Sequence, residues 1–168
     1  IEQIVLTDQE VIDLFVETDH HRALSEATML AGASSANISF TSTINGGFGL
    51  TANSTATTTF GGAIGGTTPL ASLTTDAGGT LALNAGSVTT SGAQSYGEAI
   101  TLGAPTVLSS SGSGAISLGG TIDGAKALTV STAGMTTFSG LVGSSTPLAS
   151  LSSSGAGGVT LNTSAITT

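Results

Sequence analysis

The chain has 168 residues, of which 7% are charged, 25 are glycine and none is cysteine. Ten acidic residues against two basic ones give a net charge of −8 at pH 7, and so few basic side chains cannot neutralise a phosphate backbone, which excludes nucleic-acid binding. Without cysteine there are no disulfides or thiolate metal sites, and no apolar run reaches the roughly 18 residues that a membrane helix needs.

The first segment, residues 1–31, is acidic and differs from the rest of the chain. Seven of its residues are acidic and one, Arg22, is basic. Because the chain starts without Met or a signal peptide, we expect a segment excised from a longer protein. A repeat array needs atypical ends to cover its open core. We therefore predict that residues 1–31 form an N-terminal cap or assembly segment.

Residues 1–31 carry signals for a short helical cap. Thr7 and Glu10 have the spacing of a capping box, and the apolar residues in 11–16 include positions at helical spacing. A second helix, capped by Thr18 or Asp19, is predicted to carry its apolar face within residues 23–31 and to end at Gly32. Strands are the competing interpretation, because Ile, Val and Leu are frequent in the same runs.

His20 and His21 stand next to acidic residues and could suggest a metal site. Adjacent side chains on a helix or strand point apart, so they rarely share one ion. We interpret the two histidines as solvated polar residues.

The rest of the chain, residues 32–168, reads as short strands. Two apolar or Thr residues at i and i+2, the pattern of a strand with one buried face, occur in thirteen segments: residues 38–40, 50–52, 58–60, 70–73, 81–83, 88–90, 100–102, 106–108, 116–118, 128–130, 136–138, 148–151 and 159–161. Gly, Asn, Asp and Ser separate the segments, as expected for turns.

A long internal repeat organises these segments. The sequence TPLASL at residues 68–73 recurs at residues 146–151, and a shift of 78 residues pairs 33–90 with 111–168 without a gap. Of these 58 pairs, 24 are identical. The array therefore contains one full copy, 33–110, and one partial copy, 111–168, and such a period is typical of a repeat architecture.

Strands of three or four residues suit a solenoid, in which each strand pairs with those one coil above and below. We predict an all-β parallel β-helix of roughly seven coils, with two main strands in each coil of about 20 residues and four coils in each period. The repeat-matched structural positions are the core pairs Phe60/Phe138 and Leu73/Leu151, the strand-leading pair Pro69/Pro147, and the corner pair Asn84/Asn162. The two asparagines are expected to be buried and to bond the backbone of a turn.

The TPLASL strand, the Gly-Gly turns and stretches such as GGTLALNAGSVTTSGAQSYGEAITLGA and GTIDGAKALTVSTAGMTTFSG resemble the repeats of large secreted bacterial adhesins of the filamentous-haemagglutinin and autotransporter type. The resemblance covers about residues 38–168. It implies a right-handed parallel β-helix on the surface, or in the extracellular matrix, of a Gram-negative bacterium.

The array offers little chemistry. Its charged side chains are Asp76, Glu98, Asp123 and Lys126, whereas sugar-cleaving enzymes need paired carboxylates. One period away, Asp76 becomes Ser154 and Asp123 becomes Asn45, so neither recurs. We predict no enzyme activity, no catalytic residue, no cofactor and no metal site.

We expect a non-catalytic stalk or spacer of a surface adhesin or extracellular fibre, which self-associates end to end or laterally. The alternative is a surface-binding module for a glycan or a host surface, or for ice through threonines at 57–59, 41 and 43. An ice-binding face would need Thr-x-Thr on every coil, and the leucines at 70–73 and 81–83 interrupt that pattern.

Overall fold

The structure, a computed structural model, describes residues 2–6, 12–13, 21–23, 28–32 and 36–168. These residues contain twenty β-strands and no helix. The strands are β1 Glu2–Leu6, β2 Ile12–Asp13, β3 His21–Ala23, β4 Thr28–Gly32, β5 Ile38–Phe40, β6 Thr43–Asn45, β7 Gly49–Asn53, β8 Thr57–Phe60, β9 Ser72–Thr75, β10 Thr80–Leu83, β11 Ser87–Thr90, β12 Gln94–Tyr96, β13 Ala99–Leu102, β14 Thr106–Ser110, β15 Ile116–Leu118, β16 Ile122–Asp123, β17 Ala127–Thr132, β18 Thr136–Phe138, β19 Ser150–Ser154 and β20 Val159–Leu161.

The strands form a solenoid with three faces. Face 1 is the eight-stranded sheet β1-β4-β7-β9-β12-β15-β18-β20, and face 2 is the six-stranded sheet β16-β13-β10-β8-β5-β2. Face 3 consists of β3-β6 and β11-β14-β17-β19, which the parallel bridges from Ile44 to Ile64 and from Ile64 to Val88 connect. The parallel β-solenoid that the sequence predicts is therefore confirmed.

Each coil has three strands, not the two that we predicted. The chain passes from face 1 to face 2 to face 3 and then returns to face 1 one coil higher. Paired residues on face 1 therefore lie one coil apart in sequence: 20 residues for Ile116 and Thr136 (136 − 116) and 23 for Leu50 and Leu73 (73 − 50). Over residues 36–168 the result is about six turns rather than roughly seven. Alternating short strands fit two or three strands per coil equally well, so the sequence pattern alone does not choose between them.

The core fills the inside of the coils. From β5 to β18, buried residues alternate with more exposed ones along most strands, as Leu81 and Leu83 on β10 show, because successive side chains on a strand point to opposite sides of the sheet. Like residues stack between coils: Phe40 pairs with Phe60, and their rings are stacked with centroids 5.3 Å apart. Burial therefore comes mainly from contacts between coils.

The predicted helices are not found in the described part of the N-terminal segment. β1 and β4 pair with each other and with β7 on face 1, β2 pairs with β5, and β3 pairs with β6. Strands, the competing interpretation for residues 4–6 and 11–16, occur at Glu2–Leu6 and Ile12–Asp13, and the helical cap stays a prediction. Thr7 and Glu10, the pair expected to cap a helix, lie outside the described residues. In the part of the chain that the structure covers, no helix could serve as a membrane span.

Candidate functional site

The 78-residue repeat preserves a hydrogen-bonded corner. The Oδ1 atom of Asn45 accepts from the backbone N–H groups of Thr67, at 2.8 Å, and Thr68, at 3.3 Å. One period later the Oδ1 atom of Asp123 accepts from the N–H groups of Ser145, at 2.7 Å, and Thr146, at 2.9 Å. In both copies a side chain on one coil holds the turn of the next.

In each copy of the repeat, this turn contains one of the two repeated prolines, Pro69 or Pro147. Leu70, which follows Pro69, donates its N–H to Thr89 O, and Leu148, which follows Pro147, donates to Thr167 O, each at 3.2 Å. Neither proline interrupts these contacts between coils, because a proline at the start of a strand removes a donor where none is needed.

A glycine at the start of each turn allows the coils to approach. Gly65 and Gly143 both have a φ of +68°, in the left-handed region that favours glycine. A Cβ atom on Gly65 would lie 2.0 Å from Thr89 O. This turn therefore accepts glycine alone at that position.

The corner asparagines Asn84 and Asn162 are exposed, so the expectation that they are buried is wrong. Their repeated contact is made by the backbone: Asn84 N–H donates to Phe60 O and Asn162 N–H donates to Phe138 O. The residue that holds a turn from a buried position is Asn45, which sequence reasoning paired with Asp123 only as a turn position.

The core pairs change face across the repeat. Phe60 lies on β8 in face 2, whereas Phe138 lies on β18 in face 1. Leu73 lies on face 1, and its counterpart Leu151 lies on face 3. The two members of each repeat-matched pair therefore lie on different faces and do not stack on one side of the solenoid.

A row of hydroxyl groups runs along the outside of face 1. One Ser or Thr from each of six successive coils lies in register, each paired with the next: Thr51, Thr74, Ser95, Ser117, Thr137 and Thr160. Their spacing is that of paired strands, about 4.8 Å. We call this row the face-1 hydroxyl ladder. The leucines expected to interrupt such a row point inward, and Leu73, Leu81 and Leu83 are fully buried.

The inside of the solenoid also holds a polar network that sequence reasoning missed. The Tyr96 hydroxyl donates a hydrogen bond to Gln94 Oε1 at 2.8 Å. Gln94 Nε2 in turn donates hydrogen bonds to Ser109 O at 2.7 Å and to Thr90 Oγ1 at 3.1 Å. Burial raises the pKa of Tyr96 far above its usual range. The signal in the sequence is that Gln94 and Tyr96 occupy the i and i+2 positions of a strand's inward side.

Glu98 is the one acidic residue of the array that is buried, with 1% of its surface exposed. Neither of its carboxylate oxygens has a hydrogen bond of good geometry, and the same is true of the Thr75 hydroxyl. Burial raises the pKa of Glu98 to about 7; the neighbouring Thr75 hydroxyl opposes this shift and the charge of Asp76 adds to it. The sequence marks Glu98 only as one of the four charged residues of the array, and its burial was not predicted.

The remaining charged residues of the array are divided between two corners. Asp76 follows β9 at the corner where Glu98 follows β12, whereas Asp123 ends β16 and Lys126 precedes β17 at the next corner. In the described residues there is no group of three His, Cys, Asp or Glu side chains that could hold a metal ion. His20 lies outside the described residues, and for His21 only the backbone, in β3, is described.

No family model matches the chain, and neither the curated proteins nor the solved structures provide a match. The candidate function is therefore argued from the molecule itself. What the geometry offers is a filled, repeating interior, an exterior dominated by small hydroxyl side chains, and one buried carboxyl group.

Proposed function

We propose that this chain is a non-catalytic stalk or spacer segment of a large bacterial surface adhesin or extracellular fibre, wound as a right-handed β-helix and exported from a Gram-negative cell. The observation that carries the proposal is that the repeat reproduces its own contacts. Gly65 N–H donates to Ile44 O at 2.7 Å, and 78 residues later Gly143 N–H donates to Ile122 O at 2.7 Å. A unit that rebuilds the same contacts at its far end can be added repeatedly, which makes a rod.

The exterior supports a mechanical role. Between residues 36 and 168 the only charged side chains are Asp76, Glu98, Asp123 and Lys126, and Glu98 is buried. Such a surface gives little electrostatic attraction to charged partners. It leaves backbone pairing between coils, and between the ends of successive units, as the main means of self-association.

Antibodies raised against residues 36–168 test the proposal on intact cells of the source bacterium. We expect the antibodies to label unpermeabilised cells or the shed extracellular material, and protease added outside the cells should remove the label. A cytoplasmic protein followed in parallel must survive the protease. Label that appears only after lysis would overturn the proposal.

A surface-binding module is the second candidate, and the face-1 hydroxyl ladder favours it. The ladder is continuous over six coils and carries no charge. A periodic row of neutral donors and acceptors suits an uncharged, periodic partner such as a neutral polysaccharide. The ladder has one hydroxyl per coil at its centre rather than Thr-x-Thr, which favours a glycan over ice.

Co-sedimentation with insoluble neutral polysaccharides distinguishes the two candidates. We expect the double variant Ser95→Lys/Ser117→Lys to lose at least tenfold in affinity if the ladder binds, because two lysines interrupt the row. Thr101→Lys, on the exposed side of face 2, is the matched control and should bind like the wild type. No binding by the wild type would leave the stalk as the only candidate.

A further inference from the structure

The corner between β12 and β13 contains a carboxyl group inside the solenoid. Inward side chains continue from β12 into β13 without a break, so that Gln94, Tyr96, Glu98 and Ile100 are all buried. Glu98 is thus placed by the same alternation that places core residues. A buried ionised carboxylate without hydrogen bonds or a cation is costly, and such a group avoids the cost by taking up a proton.

Among the residues that the structure describes, no group near Glu98 stabilises its ionised form strongly. Tyr96 pairs in register with Thr75 on the coil below, and the Thr75 hydroxyl faces the carboxyl group without forming a hydrogen bond of good geometry. Asp76, the next residue on that coil, is the charged group that acts on Glu98 within the described residues, and its charge has the same sign. The Asp76 carboxylate is itself held in place, because its Oδ1 atom accepts from Ser54 N–H at 3.2 Å.

We propose that the Glu98 corner is a proton-operated latch between the coils of β9 and β12. With Glu98 protonated, the corner holds a neutral acid among core residues. When Glu98 ionises, a buried carboxylate carries the same charge as Asp76 on the adjacent coil, and the contact between these coils weakens. This inference does not depend on the function proposed above.

The direction of the effect follows from the two protonation states. Burial raises the pKa of Glu98 from 4.5 to about 7 in the folded chain, so the folded state binds a proton more tightly than the unfolded state does. This contribution to stability is fully present below pH 4.5 and is lost as the pH rises through about 7. The contact between the two coils is therefore strongest below pH 4.5 and weakens as the pH rises through about 7.

Urea unfolding at several pH values between 4.5 and 8.5 tests the latch. For the wild type we expect the unfolding equilibrium constant to increase on the order of 100-fold across this range. Glu98→Gln should lose most of that increase and should exceed the wild type in stability at pH 8. Asp76→Asn keeps the acceptor for Ser54 and should show a smaller increase, because one like charge is gone. Asp123→Asn is the matched control and should follow the wild type.

Two outcomes would overturn the proposal. One is a Glu98→Gln variant with the same pH dependence as the wild type. The other is strong stabilisation of the wild type, but not of Glu98→Gln, by calcium at pH 8, which would make the corner a cation site. Should Glu98→Gln fail to fold, the ¹³C shift of the Glu98 carboxyl in the wild type decides: titration near pH 7 supports the latch, and titration near 4.5 contradicts it.

Discussion

Thr58 is a hydroxyl residue buried inside an apolar column. It lies on face 2 between Ile38 on the coil below and Leu81 on the coil above, it is fully buried, and its Oγ1 atom has no hydrogen-bond partner. A buried hydroxyl without a partner loses its bonds to water and gains none in return. The Thr58 hydroxyl therefore lowers the stability of the fold, because its neighbours above and below are apolar.

Replacing this hydroxyl by a methyl group should stabilise the protein. We expect Thr58→Val to raise the free energy of unfolding by about 1 kcal/mol, because the shape is kept and the unpaired group is removed. Urea unfolding at pH 5, where Glu98 is protonated, gives the measurement.

Thr74→Val is the matched control, since Thr74 lies on the outward side of β9 in the face-1 hydroxyl ladder. We expect a change within about 0.5 kcal/mol of the wild type there. A destabilised Thr58→Val variant would mean that the Thr58 hydroxyl has a partner, such as a water molecule inside the column.

Asn45 and Asp123 show which parts of a residue the repeat retains. The first is neutral and the second is a carboxylate, yet each uses a single Oδ1 atom to hold two N–H groups of the turn above. This corner requires one acceptor oxygen within hydrogen-bonding distance of the turn on the next coil, and both side chains supply it. Charge is free to vary, and this explains how an acidic residue appears in one copy only.

At the scale of one coil, stability depends on the neighbouring coil. Val159 and Leu161 on β20 are 48% and 54% exposed, whereas their counterparts one period earlier, Leu81 and Leu83 on β10, are fully buried. The residue types are nearly the same, and the difference is that β13 pairs above β10 on face 2. A coil of this solenoid thus buries its inner side chains only when another coil stacks on it.

The sequence predicted individual strands better than it predicted the coil. Apolar residues at i and i+2 mark the inward side of strands such as β10, and the structure confirms those positions. The number of strands in a coil is not encoded by that alternation, because it depends on the angle that the chain turns at each corner. The burial of Glu98 was missed because the inward alternation of Gln94 and Tyr96 continues past the end of β12, where the strand pattern stops.

At the scale of the whole molecule, the sequence repeat and the coil have different lengths. From Phe60 on β8 to Phe138 on β18, the chain moves from one face to the next eleven times, if the bridges at Ile64 count as one visit to face 3. Three such moves complete one coil, so eleven moves make three and two-thirds coils in each period. Each copy of the repeat is therefore rotated by two faces relative to the one before, and three copies would return the same residue to the same face.

This geometry makes a prediction about adding a copy. Inserting a second copy of residues 33–110 directly after Ser110 places residue 33 where residue 111 stands in the repeat, so every contact across the new boundary has a precedent in the chain. The insertion adds three and two-thirds coils, and at about 4.8 Å per coil the rod should lengthen by about 18 Å. Small-angle X-ray scattering should show this increase in maximum dimension with an unchanged cross-section.

An insertion of 78 Gly and Ser residues at the same place is the control. Such a linker behaves as a flexible coil, so it should broaden the distance distribution and lower the stability of the chain. The repeat insertion should instead melt at a temperature equal to or above that of the wild type, because each added coil brings its own contacts with its neighbours. A longer chain whose cross-section increases, or whose melting temperature falls to that of the linker variant, would show that the rotated copies do not stack, and the interpretation of the molecule as an extendable rod would then be wrong.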